Sequence, residues 1–124
     1  MLLNWDAYPN FSKSEFDCKE TGENAMQPHF LERLQAVRSE YGKPMRITSG
    51  YRSPNHSIEA RKVKPGYHAK GIACDVGCHS DDAFEIVKLA LKHGFTGIGI
   101  SQNKRGARFV HLDLRTETPI IFSY

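Results

Sequence analysis

The run Ile72-Ala73-Cys74-Asp75-Val76 sets one aspartate inside an otherwise apolar stretch. Such a stretch reads as a buried strand. A carboxylate inside it is costly to bury unless it is paired or coordinates a metal. Any fold for this chain must therefore bring Asp75 a partner. A second run carries the same tension. In Phe109-Val110-His111-Leu112-Asp113 the side chains of a strand alternate, so His111 and Asp113 share one face and Val110 and Leu112 the other. Two polar residues on one face of a short buried strand need a shared reason. His68 is a third candidate. It leaves the turn Pro65-Gly66, and Gly71 lets the backbone fold tightly between His68 and Asp75.

Zinc supplies one shared reason. A catalytic zinc takes imidazole nitrogen and carboxylate oxygen from three protein ligands and leaves a fourth position for water. The metal makes that water acidic enough to attack a carbonyl near neutral pH. His68, Asp75 and His111 fit the donor set. Spacing alone leaves other readings open: His68 as a surface turn histidine, Asp75 as a buried cap or ion-pair partner, His111 as a hydrogen-bonded core histidine.

The length of 124 residues suits one domain over 1–124, with a core that needs no covalent staple. The net charge is +3, from 17 Lys and Arg against 14 Asp and Glu, too slight a bias to name a polyanionic partner. The densest basic stretches, Arg61-Lys62-Val63-Lys64 and Lys104-Arg105, are short and read as solvated faces, and no nucleic-acid motif accompanies them. Cys18, Cys74 and Cys78 are odd in number, with no second pair to complete a zinc knuckle, so they read as reduced thiols. The segment from Met1 to Asn10 has neither a basic start nor a continuous apolar run, and is not a signal peptide. No stretch approaches the ~20 apolar residues that span a bilayer. The expectation is a soluble monomer made in the cytoplasm, with no membrane insertion and no nucleic-acid partner.

The remaining pattern predicts an α+β domain: a small antiparallel sheet packed with two main helices. One helical turn lies at 12–17, capped by Ser12 or Ser14. A helix opens at Pro28 and shows Phe30, Leu31, Leu34, Val37 and Tyr41 on one face, ending at Gly42. The second helix has Ser80 as its cap, Asp81 and Asp82 in its first turn, Phe84, Val87, Leu91 and their neighbours as its apolar positions, and Gly94 as its stop. Strands are expected at 45–48, 72–76, 96–100, 108–114 and 119–122, with 101–107 as a hairpin loop. Residues 56–66 show no strong period.

Four pieces of this sequence resemble one known family. They are Phe11 to Cys18, the run Ile47-Thr48-Ser49-Gly50-Tyr51-Arg52-Ser53, the "HxxGxAxD" pattern from His68 to Asp75, and Gly97-Ile98-Gly99-Ile100 followed by Phe109 to Asp113. In this order and spacing they are similar to the zinc D-Ala-D-Ala carboxypeptidases and L-alanyl-D-glutamate endopeptidases of bacteria and their phages, over about residues 11–115. The resemblance implies a hedgehog-type fold, one zinc per chain held by His68, Asp75 and His111, and a peptidoglycan stem peptide as substrate. It implies that Arg52 faces the substrate, where a planar guanidinium suits a terminal carboxylate or a polarised carbonyl; the alternative is a structural ion pair. Some relatives carry an acid three residues before the last histidine ligand, where this chain has Arg108. The "HxD" form of another branch then makes Asp113 the general base, with a ligand-orienting role as its alternative. Gly66 and Ser101 replace a serine and a tyrosine common in relatives, and His56, near the "SGYRS" turn, reads as a solvated loop histidine. The absence of a signal peptide fits a phage endolysin released by other means. A rival of a different class is a non-catalytic module of the same fold that binds cell-wall peptide or protein.

Overall fold

A computed structural model describes residues 3–124; Met1 and Leu2, the start of the segment read for a signal peptide, lie outside the described residues. The chain enters through a 3-10 turn, Trp5–Ala7, and a one-turn helix α1, Lys13–Phe16. Ser12 is the cap of α1, and its backbone N–H donates to Glu15 Oε1 at 3.3 Å. The long helix α2 spans Pro28–Tyr41, with proline in its first turn as the sequence predicts. It buries Phe30, Leu31, Leu34 and Val37. Gly42 ends it in the left-handed conformation, φ 72°, its N–H bonded to Arg38 O at 3.1 Å.

Five strands form one sheet: β1 Arg46–Ser49, β2 Ala73–Gly77, β3 Gly97–Ser101, β4 Phe109–Asp113 and β5 Ile120–Ser123. Their order is β1-β2-β4-β3-β5. The helix α3, Ser80–Lys92, lies between β2 and β3 in sequence. The α+β class and the strand positions match the expectation to within about two residues at each end. The sheet departs from it at one edge. β1, β2, β4 and β3 pair antiparallel, but β5 runs parallel to β3. The chain leaves β4 beside Gly97, passes around the start of β3 and pairs on its far side. Thr96 holds that passage, since its Oγ1 donates to Arg115 O at 2.7 Å and its carbonyl accepts from Ile120 N–H at 2.9 Å.

α3 corrects the sequence reading twice. Its cap position is His79, not Ser80; Ser80 is the first helical residue, and its N–H is satisfied by Gln102 Oε1 at 2.8 Å. Its buried face is Ala83, Ile86, Leu89 and Ala90. Phe84 and Leu91, expected on that face, are 70 % and 52 % exposed. The helix carries two apolar stripes at helical spacing. The inward one holds alanines, which let the helix approach its neighbours closely, and α3 packs against both α2 and β4.

Alternation divides the sheet cleanly. Cys74, Val76, Ile98, Val110 and Leu112 are buried in the core with Phe16, Phe30, Leu31, Leu34 and Ile86. The residues between them, Asp75, Gly77, Gly97, Gly99, Phe109, His111 and Asp113, belong to the other face. Cys18, Cys74 and Cys78 are all free thiols, as expected. Among the described residues no helix is long and apolar enough to cross a membrane.

The turn that presents His68 depends on Gly71. Its φ is +74°, and a Cβ there would lie 2.0 Å from the carbonyl oxygen of Ala25. Gly71→Ala should therefore strain the backbone and push on α2's entry at once, lowering the unfolding free energy by about 1–3 kcal/mol in a denaturant titration. Unchanged stability would mean that the turn is looser than described.

Candidate metal centre

His68 leaves the 65–71 turn, Asp75 is the middle residue of β2, and His111 is the middle residue of β4. Asp75 and His111 are direct register partners, which sets them side by side on the open face of the sheet. His111 Nδ1 lies 3.0 Å and His68 Nε2 3.4 Å from Asp75 Oδ1. One ligand atom from each of the three lies within 4.8 Å of the others. The sequence singled out these three residues, and the fold brings them together.

The outer nitrogens of both rings are engaged. His68 Nδ1 is 2.8 Å from Gly50 O. A carbonyl can only accept, so Nδ1 carries a hydrogen, and Nε2 is the nitrogen that the neutral ring would offer to a metal. His111 Nε2 is 2.7 Å from Asp113 Oδ2 and donates to it, which leaves Nδ1 for the trio. Two imidazole nitrogens, each aimed inward by a bond behind its ring, and one carboxylate oxygen fit a divalent metal of zinc type.

Electrostatics agree with that arrangement. Burial alone pushes the Asp75 carboxyl up, but hydrogen bonds from His111 and His68 and their charge outweigh it and bring its pKa down to about 2. Burial opposes the charge on His111, yet the Asp113 and Asp75 carboxylates raise its pKa above the usual histidine value. The carboxylates favour a proton on His111, and that proton competes with a metal for Nδ1.

Asp113 stands behind the trio rather than in front of it. It is 0 % exposed. Its Oδ1 accepts from the Arg115 backbone N–H at 3.0 Å and from Arg115 Nε at 2.9 Å; its Oδ2 accepts from Arg115 Nη2 at 2.6 Å and from His111. Burial is overcome by these bonds, and the carboxyl is held well below the usual range. Bare Gly97 makes the pocket possible, because a Cβ there would lie 2.0 Å from Asp113 Oδ1.

A cleft of about 390 Å³ opens over the trio. Arg52, Lys62 and Arg115 give it positive walls, and Tyr67, Phe109, Phe122 and Tyr124 give it aromatic ones. Arg52 lies in this wall, and Asp113 does not line it. Arg115 stacks on Tyr67, 4.4 Å from its ring centre. Arg52 Nη1 is 3.3 Å from Glu59 Oε2, so it is also an ion-pair partner. Glu59, with its side chain only 1 % exposed, accepts from Lys62 Nζ at 2.5 Å and from Gly66 N–H at 2.9 Å as well. Gly66 lines the cleft, whereas Ser101 donates to Ala107 O at 2.9 Å and does not line it. His56 is tied to Glu20 at 3.0 Å and does not line the cleft.

Glu59, Arg115, Tyr67, Phe122 and Tyr124 were missed by sequence reasoning. Glu59 sits in the stretch without periodicity, where nothing marks it. Arg115 carried a signal in hindsight, because it follows Asp113 by two residues at the end of a strand and a buried aspartate needs a cation.

A protein-family model described as Peptidase M15 matches residues 9–113. The chain belongs to the peptidase M15 family. The match spans the trio, Arg52, Glu59 and Asp113. M15 membership implies a hydrolase of a metal-dependent family, and the His68-Asp75-His111 trio is where this M15 chain gathers suitable donors. A comparison with curated proteins found no match.

Elemental analysis should find about one metal per chain in the wild type and little in His68→Ala or Asp75→Ala. Asp113→Asn should still bind metal, but with affinity about 10–100-fold weaker by chelator competition. Wild-type affinity in Asp113→Asn would remove Asp113 from any orienting role.

Proposed function

We propose that this M15 chain is a zinc metallopeptidase that cleaves peptidoglycan stem peptides, acting as a D-Ala-D-Ala carboxypeptidase or an L-alanyl-D-glutamate endopeptidase, with phage endolysin as one setting. The observation that carries the reading is a cleft in which three inward-aimed metal donors share one space with the guanidinium groups of Arg52 and Arg115. Stem peptides carry free carboxylates close to their scissile bonds, and a planar guanidinium binds a carboxylate or a polarised carbonyl well.

When bound, zinc supplies Lewis-acid activation of water and of the peptide carbonyl. The chain's own residues set the stage for it. Arg52 is held by Glu59 and receives the peptide's carboxylate or carbonyl oxygen. Tyr67, Phe122 and Tyr124 flank the backbone of the bound peptide and narrow the cleft. Asp113 acts through His111: it keeps the proton on Nε2 and so keeps Nδ1 facing the trio. This is a positioning role in place of the general base expected from the sequence. A base must reach the reacting water, and the Asp113 oxygens are turned to His111 and Arg115.

The non-catalytic rival draws on one observation. Among the described residues, Asp75 is the one carboxylate that lines the cleft, and it belongs to the metal set. In that reading the metal is structural and the cleft only binds peptide. A single assay separates the two. Purified, metal-loaded protein is incubated with stem peptides of defined sequence, and the products are read by mass spectrometry with and without chelator. The peptidase reading expects cleavage at one bond, abolished by chelator, and about a hundredfold lower kcat/KM in Arg52→Ala. Binding of the peptides without cleavage would hand the site to the rival reading.

A further inference from the structure

The open face of the sheet continues past the trio. Gly77 and Phe109 are register partners, two residues along β2 and β4 from Asp75 and His111. At the rise of a strand this is about 7 Å from the metal donors. Phe109 forms a wall of the metal cleft on one side. On its other side lies a second cavity, of about 540 Å³, bounded by β1, the start of α3 and the loop between β3 and β4.

Three cationic side chains, Arg46, Lys104 and Arg108, line this second cavity together with His79. Among the described residues no carboxylate lines it. Among the described residues, none of these four forms an ion pair, whereas Lys13, Lys43, Arg52, Lys62, Lys92 and Arg115 each do. Asp82 faces His79 from the first turn of α3, but it is held by Lys43 at 2.5 Å. Arg46 opens β1 opposite Gly77 of β2. Its guanidinium lies across Gly77, where a Cβ would come 2.5 Å from Nη2 and 2.8 Å from Cζ. The bare backbone of Gly77 gives the exposed arginine side chain room to lie flat there. Like charges gathered around one hollow repel each other, and an anion in their midst offsets the repulsion.

We propose that this cavity is an anion subsite, which holds a carboxylate or phosphate group of a bound chain while another part of that chain lies over the trio. The group differs from the one that meets Arg52, because Phe109 separates the two hollows. Assigning the anion to the substrate rests on the peptidase reading; the anion site itself does not. Lys104, from the short basic stretch Lys104-Arg105 read as a solvated face, thereby gains a ligand, and Arg108 gains the same one.

The test is a titration of the metal-loaded protein with inorganic phosphate and, separately, glutarate, followed by amide NMR. The expected result is a saturable response at residues 46, 79 and 104–109, and affinity about tenfold weaker in the double variant Arg46→Gln, Arg108→Gln. Whichever probe binds more tightly names the anion chemistry. Lys104→Gln is a second variant, at an exposed loop position where folding is not at stake, and it should weaken binding in the same direction. No saturable response, or one confined to the neighbours of Arg52 and Arg115, overturns the proposal. On a stem peptide that is cleaved, the double variant should raise KM and leave kcat in place; an unchanged KM overturns the assignment to substrate. A phosphate response in a protein that cleaves no peptide would leave the subsite standing and remove the peptidase reading alone.

Discussion

Burial works against the charge of Asp75 at the centre of β2, and two imidazoles answer it. Everything near the site follows from that demand. His111 reaches Asp75 because β2 and β4 are paired in register. His68 reaches it because the 65–71 turn closes on Gly71 against the entry to α2. Each imidazole is then fixed from behind, one by a backbone carbonyl and one by Asp113. The result is a set of three donors whose orientation is determined before any metal arrives, which lowers the reorganisation that binding requires.

The second line of support runs from His111 through Asp113 to Arg115. Each member is costly to bury alone and satisfied in company. Gly97 gives up a side chain to make room for it, as Gly77 does for Arg46 and Gly71 for the chain turn. The sheet's two faces therefore differ in kind. One is a packed apolar core with α2 and α3. The other is open, has glycines where side chains would fill it, and carries nearly all of the chain's chemistry.

Strand alternation marked Asp75 and His111, because a polar residue in an apolar run demands a partner; His68, on a turn, and the joining of the three into one metal set were legible through the resemblance. Arg52 was legible through the resemblance rather than through spacing. α2 was legible in full, since its apolar face, its proline start and its glycine stop agree. The face of α3 was not, because Phe84 and Leu91 form an apolar stripe as regular as that of Ala83, Ile86 and Ala90, and only packing chooses between them. The parallel docking of β5 is a long-range choice that no local pattern records. The position of Asp113 fails for a related reason. Alternation put it on the right face, but whether a carboxylate points toward a metal or supports a ligand from behind depends on a few ångströms and on Arg115. Glu59, in an aperiodic loop, left no local mark at all.

The most direct test of the central claim is X-ray absorption at the zinc edge of the loaded protein. The account predicts a four-coordinate shell of nitrogen and oxygen at about 2.0–2.1 Å, with scattering from two imidazoles and no sulfur. A sulfur shell near 2.3 Å, which would bring a cysteine into the metal site, or a shell with no imidazole scattering would contradict it.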